Sequence, residues 1–127
     1  MLISRTVGTV SSLVTVFLPD RTVSTGAGLA NVVASTVRLT WLRNDQAAVS
    51  SWLLTTGTLG TWAGSTMTQV GSASTLGAYQ FSFPHGLFVS GDSAYVHIMS
   101  STAPFAEVPI LIELTKTDNQ TYLSSQT

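Results

Sequence analysis

The chain contains no cysteine, which excludes a disulfide framework and a thiolate metal site. Charge is scarce as well, because 9% of the 127 residues are charged against roughly 25% in an average soluble domain. Five Lys and Arg residues against six Asp and Glu residues give a net charge of -1, so no basic field is present that would collect phosphates. We therefore expect no nucleic-acid partner.

Long apolar runs are also missing. A membrane-spanning helix needs about 18 consecutive apolar residues, whereas the apolar stretch 13–18 is interrupted by Thr15 and ends at Pro19. The N-terminus shows no charged region followed by the apolar run of a secretory signal. We expect no membrane partner.

Hydroxyl groups and apolar side chains supply most of the composition instead. The chain has 17 Ser and 19 Thr, its hydrophobic fraction is 44%, and its mean hydropathy is +0.35. A chain of this length fits one domain, so residues 1–127 are predicted to share a single core.

Alternating apolar residues predict strands rather than helices. In the segment 36–43, Val37, Leu39 and Trp41 share one face, and Tyr79, Phe81 and Phe83 do so later. Further strands are predicted in five other segments, 12–17, 47–54, 67–70, 93–99 and 108–114. The spacing predicts an all-β fold, an antiparallel β-sandwich of about seven to eight strands, with a small β-barrel as the second choice.

The segment 93–99 differs from the others because both of its faces carry large side chains. Ala94, Val96 and Ile98 lie in one phase, and three bulky residues lie in the other: Tyr95, His97 and Met99. This pattern is expected when both faces of a strand are at least partly covered.

Catalytic and metal-binding patterns are not evident in the sequence. His85 and His97 lie on different predicted elements, the six acidic residues are scattered, and no Gly-x-Ser-x-Gly motif occurs. We predict no enzyme activity, no catalytic, metal or cofactor-binding residues, and no cofactor. A pocket that joins either histidine to a carboxylate and a serine would indicate a hydrolase instead.

Two of the three tryptophans are candidates for contact with a ligand or partner. Trp41 and Tyr79 are in phase with other apolar residues and are predicted to lie in the core, whereas Trp52 and Trp62 lie near loops rich in Gly and Thr. Aromatic faces stack on sugar rings, and neutral hydroxyl groups bind sugar hydroxyls. Trp52 and Trp62 therefore stand as partner-contact residues, with core packing as the alternative.

Self-association is the expected consequence of this composition. Exposed strand edges are commonly protected by lysine, and Lys116 is the single lysine of the chain. We predict a homo-oligomer, with residues 1–10 and 116–127 as docking or exchange segments, including Leu2, Ile3, Tyr122 and Leu123.

A run of strands and turns between residues 28 and 100 resembles small β-sandwich modules of tailed-phage baseplate, tail-fibre and related virion proteins. Those modules show a strand, an Asp-Gly turn, a short Met-containing strand, a Gly-x-Tyr-x-Phe strand and a Gly-Asp turn. The matching segments here are 37–41, 44–45, 67–71, 77–81 and 91–96, with Gln46 in the place of the glycine of the first turn.

The resemblance implies a virion structural subunit of the tail, baseplate, fibre or capsid-decoration type, in contact with other virion structural proteins. It carries over no catalytic residues. The alternative is a carbohydrate- or receptor-binding β-sandwich module with a host-surface glycan as partner. The expected location is the virion, or alternatively an extracellular filament.

Overall fold

Two β-sheets form the protein in the computed structural model, which describes residues 1–71 and 74–115. The strands are β1 (Leu2–Thr6), β2 (Leu13–Phe17), β3 (Val37–Arg43), β4 (Ser50–Leu53), β5 (Thr55–Thr56), β6 (Thr66–Gln69), β7 (Ala78–Ser82), β8 (Ser93–Ser100) and β9 (Val108–Thr115). Two short 3-10 turns, Ala34–Thr36 and His85–Leu87, precede β3 and follow β7.

The larger sheet has the order β1-β9-β8-β3-β4, and the smaller has the order β2-β7-β6-β5. The sheets pack on each other without closing into a barrel. The predicted all-β sandwich is therefore confirmed, and the small β-barrel of the second choice does not form.

Each sheet contains one parallel pair at its edge, β1 with β9 and β5 with β6, and its other pairs are antiparallel. The sheets are thus mixed, which strand periodicity alone does not reveal. The parallel pair of the smaller sheet arises where the chain changes sheets at Leu54. The Leu54 N–H donates to Val37 O of the larger sheet, and the next N–H, from Thr55, donates to Ser65 O beside the smaller sheet.

Residues 1–10 were predicted to be a docking segment, and the structure pairs five of them within the chain itself. Leu2 lies opposite Leu111 and Thr6 lies opposite Thr115 in the parallel β1–β9 ladder. The other predicted docking segment, 116–127, lies outside the described residues.

The core fills the space between the sheets with the in-phase residues of both. It includes Val37, Leu39 and Trp41 from β3 and Tyr79 and Phe81 from β7, all buried. The expectation that Trp41 and Tyr79 are core residues is confirmed.

Gln46 closes the turn after β3. Gln46 N–H donates to Arg43 O at 3.1 Å, and the Gln46 Oε1 accepts from Arg43 N–H at 2.7 Å. The Gln46 side chain thus supplies a bond within this turn that glycine has no atoms to form.

Tyr79 fixes the long connection between β2 and β3. Its hydroxyl donates to Leu29 O at 2.6 Å and accepts from Val32 N–H at 3.2 Å. We expect Tyr79→Phe to destabilise the fold by about 1 to 3 kcal/mol, because two backbone groups lose their partner. Urea unfolding of the variant beside the wild type at neutral pH measures the difference, and equal stability would contradict it.

The same tyrosine predicts a pH dependence. Burial raises the pKa of Tyr79 above its ordinary value, against the smaller opposite effect of the Val32 N–H bond. Because the folded pKa is the higher one, the stabilisation is fully present below pH 10 and is lost as the pH rises through the folded pKa. The difference in free energy of unfolding between wild type and Tyr79→Phe should therefore become smaller as the pH rises through the folded pKa of Tyr79. Unfolding curves at alkaline pH measure it, and a difference that grows with pH would contradict the raised pKa.

Candidate functional site

The outer face of the larger sheet, the face turned away from the core, carries a continuous row of apolar side chains. Strand register places one residue of each neighbouring strand side by side along this row. The row, called here the apolar row, consists of Leu2 on β1, Leu111 on β9, Tyr95 on β8 and Leu42 on β3. Val49, one residue before the β3–β4 ladder begins at Ser50, extends the row.

Most of this row is exposed to solvent in the described structure. Four members keep 43% to 66% of their accessible surface, namely Leu2, Val49, Leu111 and Tyr95. Scattered exposed apolar residues are ordinary, but a contiguous set across a whole sheet is typical of an interaction surface.

Charged residues border the apolar row on both sides, with Glu113 of β9 on one side and Arg38 and Glu107 on the other. Arg38 on β3 is paired with Met99 of β8. On the other side of β8, Glu107 comes directly before Val108, the β9 partner of Ile98, and so lies level with Met99. The Arg38 guanidinium is exposed and donates to Ser51 Oγ at 2.7 Å. The outer face therefore presents a cation and an anion on either side of β8.

A hydrogen-bonded chain connects the row to this anion. Tyr95 Oη lies 3.0 Å from His97 Nδ1, and His97 Nε2 lies 2.9 Å from Glu107 Oε2. His97 lies two residues from Tyr95 along β8, on this same outer face. The three side chains hold one another in place on the surface.

Trp52 is attached to the core rather than free in a loop. It lies on β4 opposite Leu39, and its ring meets Trp41 edge-on with centroids 5.4 Å apart. The side chain is half-buried and packs against the core cluster.

Trp62 holds the loop 57–65 over the outer face of the smaller sheet. Its indole N–H donates to Phe83 O at 2.9 Å, and its ring stacks on His85 with centroids 4.2 Å apart. Nearby, the Ala63 N–H donates to Ser82 Oγ. Trp62 is half-buried, so packing accounts for one face of the ring while part of it stays accessible.

We expect Trp62→Ala to loosen this loop and to cost about 2 kcal/mol, whereas Trp62→Phe keeps a stacking partner for His85 and costs about 1 kcal/mol. Hydrogen exchange at the amides of Gly60 and Ala63, which donate to Gln80 and Ser82, reports the loosening directly. Unchanged exchange in Trp62→Ala would show that the ring does not anchor the loop.

Asp45 ties two turns together at one end of the larger sheet. Its carboxylate accepts from Ser90 Oγ at 2.5 Å and from Arg43 Nε at 2.9 Å. The Ser90 bond, followed by the Arg43 bond, lowers the pKa of Asp45 below its ordinary value. The carboxylate is solvent-exposed, so its role is to fix the turns rather than to provide buried charge.

The histidines are occupied by bonds that do not form a catalytic set. His85 Nε2 accepts from Ser11 N–H at 2.9 Å, which places the proton of a neutral imidazole on Nδ1. His97 contacts Tyr95 and Glu107. Within residues 1–71 and 74–115 no serine hydroxyl bonds either ring, and no three His, Asp or Glu side chains gather to hold a metal.

A shallow cleft of about 180 Å³ lies between the β2–β3 connection and the loop before β9. Leu29, Val32 and Pro104 are among its lining residues, and Asn31 at its side has a left-handed φ of 58°. Its polar side chains are those of Asn31, Thr36 and Thr102, and none of its lining side chains is titratable.

Sequence reasoning identified Trp52 and Trp62 but not the apolar row. The sequence nevertheless held an indication of the row, since the large side chains of Tyr95 and Met99 lie out of phase with the core residues of β8. Linking Tyr95 to Leu42 and Leu111 required the strand order and register, which no local pattern specifies.

No protein-family model matches the chain, and no curated protein matches it. Among the described residues, no helix is long and apolar enough to cross a membrane.

Proposed function

We propose that this protein is a non-enzymatic virion structural subunit of the tail, baseplate, fibre or capsid-decoration type, and that it acts by homo-oligomeric self-assembly. The observation that carries the proposal is the apolar row on the outer face of the larger sheet. A face of this kind, on a chain with few charges, loses unfavourable contact with water when it packs on another subunit.

The virion part of the proposal is supported by the resemblance of residues 28–100 to small β-sandwich modules of phage tails. The location in the virion, or alternatively in an extracellular filament, and the contact with other virion structural proteins are inferred from the same resemblance. An exposed, assembled particle also fits a surface rich in neutral hydroxyl groups, which stay hydrogen-bonded without counter-ions.

The experiment that tests self-assembly is the mass of the full chain in solution by light scattering at micromolar concentration, with negative-stain images of the same sample. We expect a defined multiple of 13.4 kDa and closed or fibrous particles. A stable species of 13.4 kDa at every concentration would overturn the proposal.

A carbohydrate- or receptor-binding module is the second candidate, favoured by the accessible part of Trp62 beside the exposed hydroxyls of Thr58 and Thr61. In that case Trp62→Ala abolishes glycan binding on an array, whereas Trp52→Ala leaves it intact. Absence of any bound glycan with the wild type counts against this candidate.

A further inference from the structure

We infer that the outer face of the larger sheet is the contact between two copies of this chain, packed face to face around a two-fold axis that runs along β8. The inference rests on the proposed self-assembly and names the surface that performs it. The occupant is a second copy because a two-fold rotation lays the apolar row of this face on itself and pairs its opposite charges.

The two-fold axis follows from the order of the strands. With β8 central in the order β1-β9-β8-β3-β4, rotation about an axis parallel to β8 lays β9 of one copy over β3 of the other, and β1 over β4. The apolar row of one copy then packs on the apolar row of the other. Leu111 lies over Leu42 of the second copy, and Tyr95 lies over Tyr95 of the second copy. Aligned sheets pack with their strands about 30° apart, so the axis lies within about 15° of the direction of β8.

The same rotation pairs the charges. Arg38 and Glu107 lie on opposite sides of Met99, so the axis places Arg38 of one copy over Glu107 of the other, twice in each dimer. A two-fold axis perpendicular to the strands would instead set β3 on β3, and would bring Arg38 near the Asn44 end of that strand. Charge complementarity therefore selects the axis along β8.

The face supplies about two-thirds of a standard interface. Its five strands hold 32 residues, which at about 3.4 Å per residue and 4.8 Å between strands cover roughly 520 Å² per copy. Standard protein interfaces bury about 800 Å² per partner. An interface of that size would therefore also include the rim of the sheet.

The outer face of the smaller sheet does not offer the same surface. The loop 57–65 lies on it, with Gly60 N–H bonded to Gln80 Oε1 and Ala63 N–H bonded to Ser82 Oγ. These bonds satisfy polar side chains that would otherwise face a partner. Phe17 of β2 remains exposed on this face, but the apolar row that crosses a whole sheet lies on the larger sheet of the described chain.

A charge-reversal cycle measured by sedimentation tests the inference. Arg38→Glu and Glu107→Arg should each weaken association at least about tenfold, because each brings like charges together across the axis. The double variant Arg38→Glu with Glu107→Arg should regain most of the loss. Both single variants also lose their bonds to Ser51 or His97 within one copy, and only pairing between copies explains a recovery.

Leu111→Lys tests the apolar part of the same face and should weaken association about 100-fold, since a charge is then buried in the contact. Thr15→Lys, on an exposed position of β2 in the smaller sheet, is the matched control and should leave the mass unchanged. Circular dichroism confirms that each variant is folded.

Three results separate the possible failures. A wild type that stays monomeric, as it would if residues 116–127 of the same chain covered the face, overturns both the inference and the proposed function. An oligomer that persists in Leu111→Lys overturns this surface but leaves self-assembly standing. Failure of the double variant to recover overturns the axis along β8.

Discussion

Gly77→Ala is expected to destabilise the protein by at least about 3 kcal/mol, or about 10 °C in Tm. Gly77 has a left-handed φ of 91°, which strains any side chain. A Cβ at this position would also lie 2.5 Å from the Gly28 Cα and 2.8 Å from Phe17 Cε1. Two backbones meet here with no room for a methyl group.

The contribution of the close approach can be separated from that of the backbone strain. Gly8 has a φ of 92° but nothing within 4 Å of a Cβ, so Gly8→Ala bears only the strain, about 1 to 2 kcal/mol. Gly64→Ala has neither feature and should be close to neutral. Thermal unfolding at one protein concentration ranks the three variants by Tm. If Gly77→Ala were as stable as Gly8→Ala or more stable, the close approach at Gly77 would be contradicted.

Phe81→Ala is expected to cost about 3 to 5 kcal/mol. The ring is fully buried at the centre of the smaller sheet, where Phe81 lies opposite Val14 on β2 and Met67 on β6. Removing it leaves a cavity between the sheets that both flanking strands line, so the neighbours cannot close it without shifting the ladders.

The matched control uses the same substitution on the outer face of the same sheet. Phe17 on β2 is 48% exposed, and Phe17→Ala should cost about 1 kcal/mol because much of its ring already contacts water. Chemical denaturation of both variants gives the difference. Equal losses would contradict the placement of Phe81 in the core.

Strand periodicity predicted the fold well where one face is buried. Val37, Leu39 and Trp41 alternate with more exposed residues, and the in-phase aromatics Tyr79 and Phe81 mark β7 just as clearly. Such alternation arises from the pleat itself, so it is readable from a single strand. The all-β sandwich follows from the number and spacing of these segments.

Local patterns could not reveal β1, β5 or the parallel pairs. Leu2–Thr6 and Thr55–Thr56 show little alternation, and their strand structure depends on the neighbours β9 and β6. Parallel pairing joins segments far apart in the chain, as in the case of Leu2 and Leu111. Contacts of this kind are set by the packing of the whole domain.

The candidate site was predictable in the same uneven way. Out-of-phase apolar residues on β8 indicated that its second face meets something, and the structure shows Tyr95 in the middle of an apolar row. The tryptophans were singled out because loops often carry function, yet Trp52 packs on Trp41 and Trp62 anchors a loop on His85. Which surface meets a partner depends on register, and the sequence pattern alone does not contain it.

The central claim is that two copies meet across β8, and cross-linking at Tyr95 tests it most directly. The chain has no native cysteine, so Tyr95→Cys introduces a single thiol. The proposed axis places this thiol next to the same thiol of the second copy. We expect a short bis-maleimide to convert Tyr95→Cys to a covalent dimer on a denaturing gel, while Thr15→Cys on the smaller sheet stays monomeric. Equal cross-linking of both variants, or none at Tyr95→Cys in a sample that is oligomeric by light scattering, would contradict the claim.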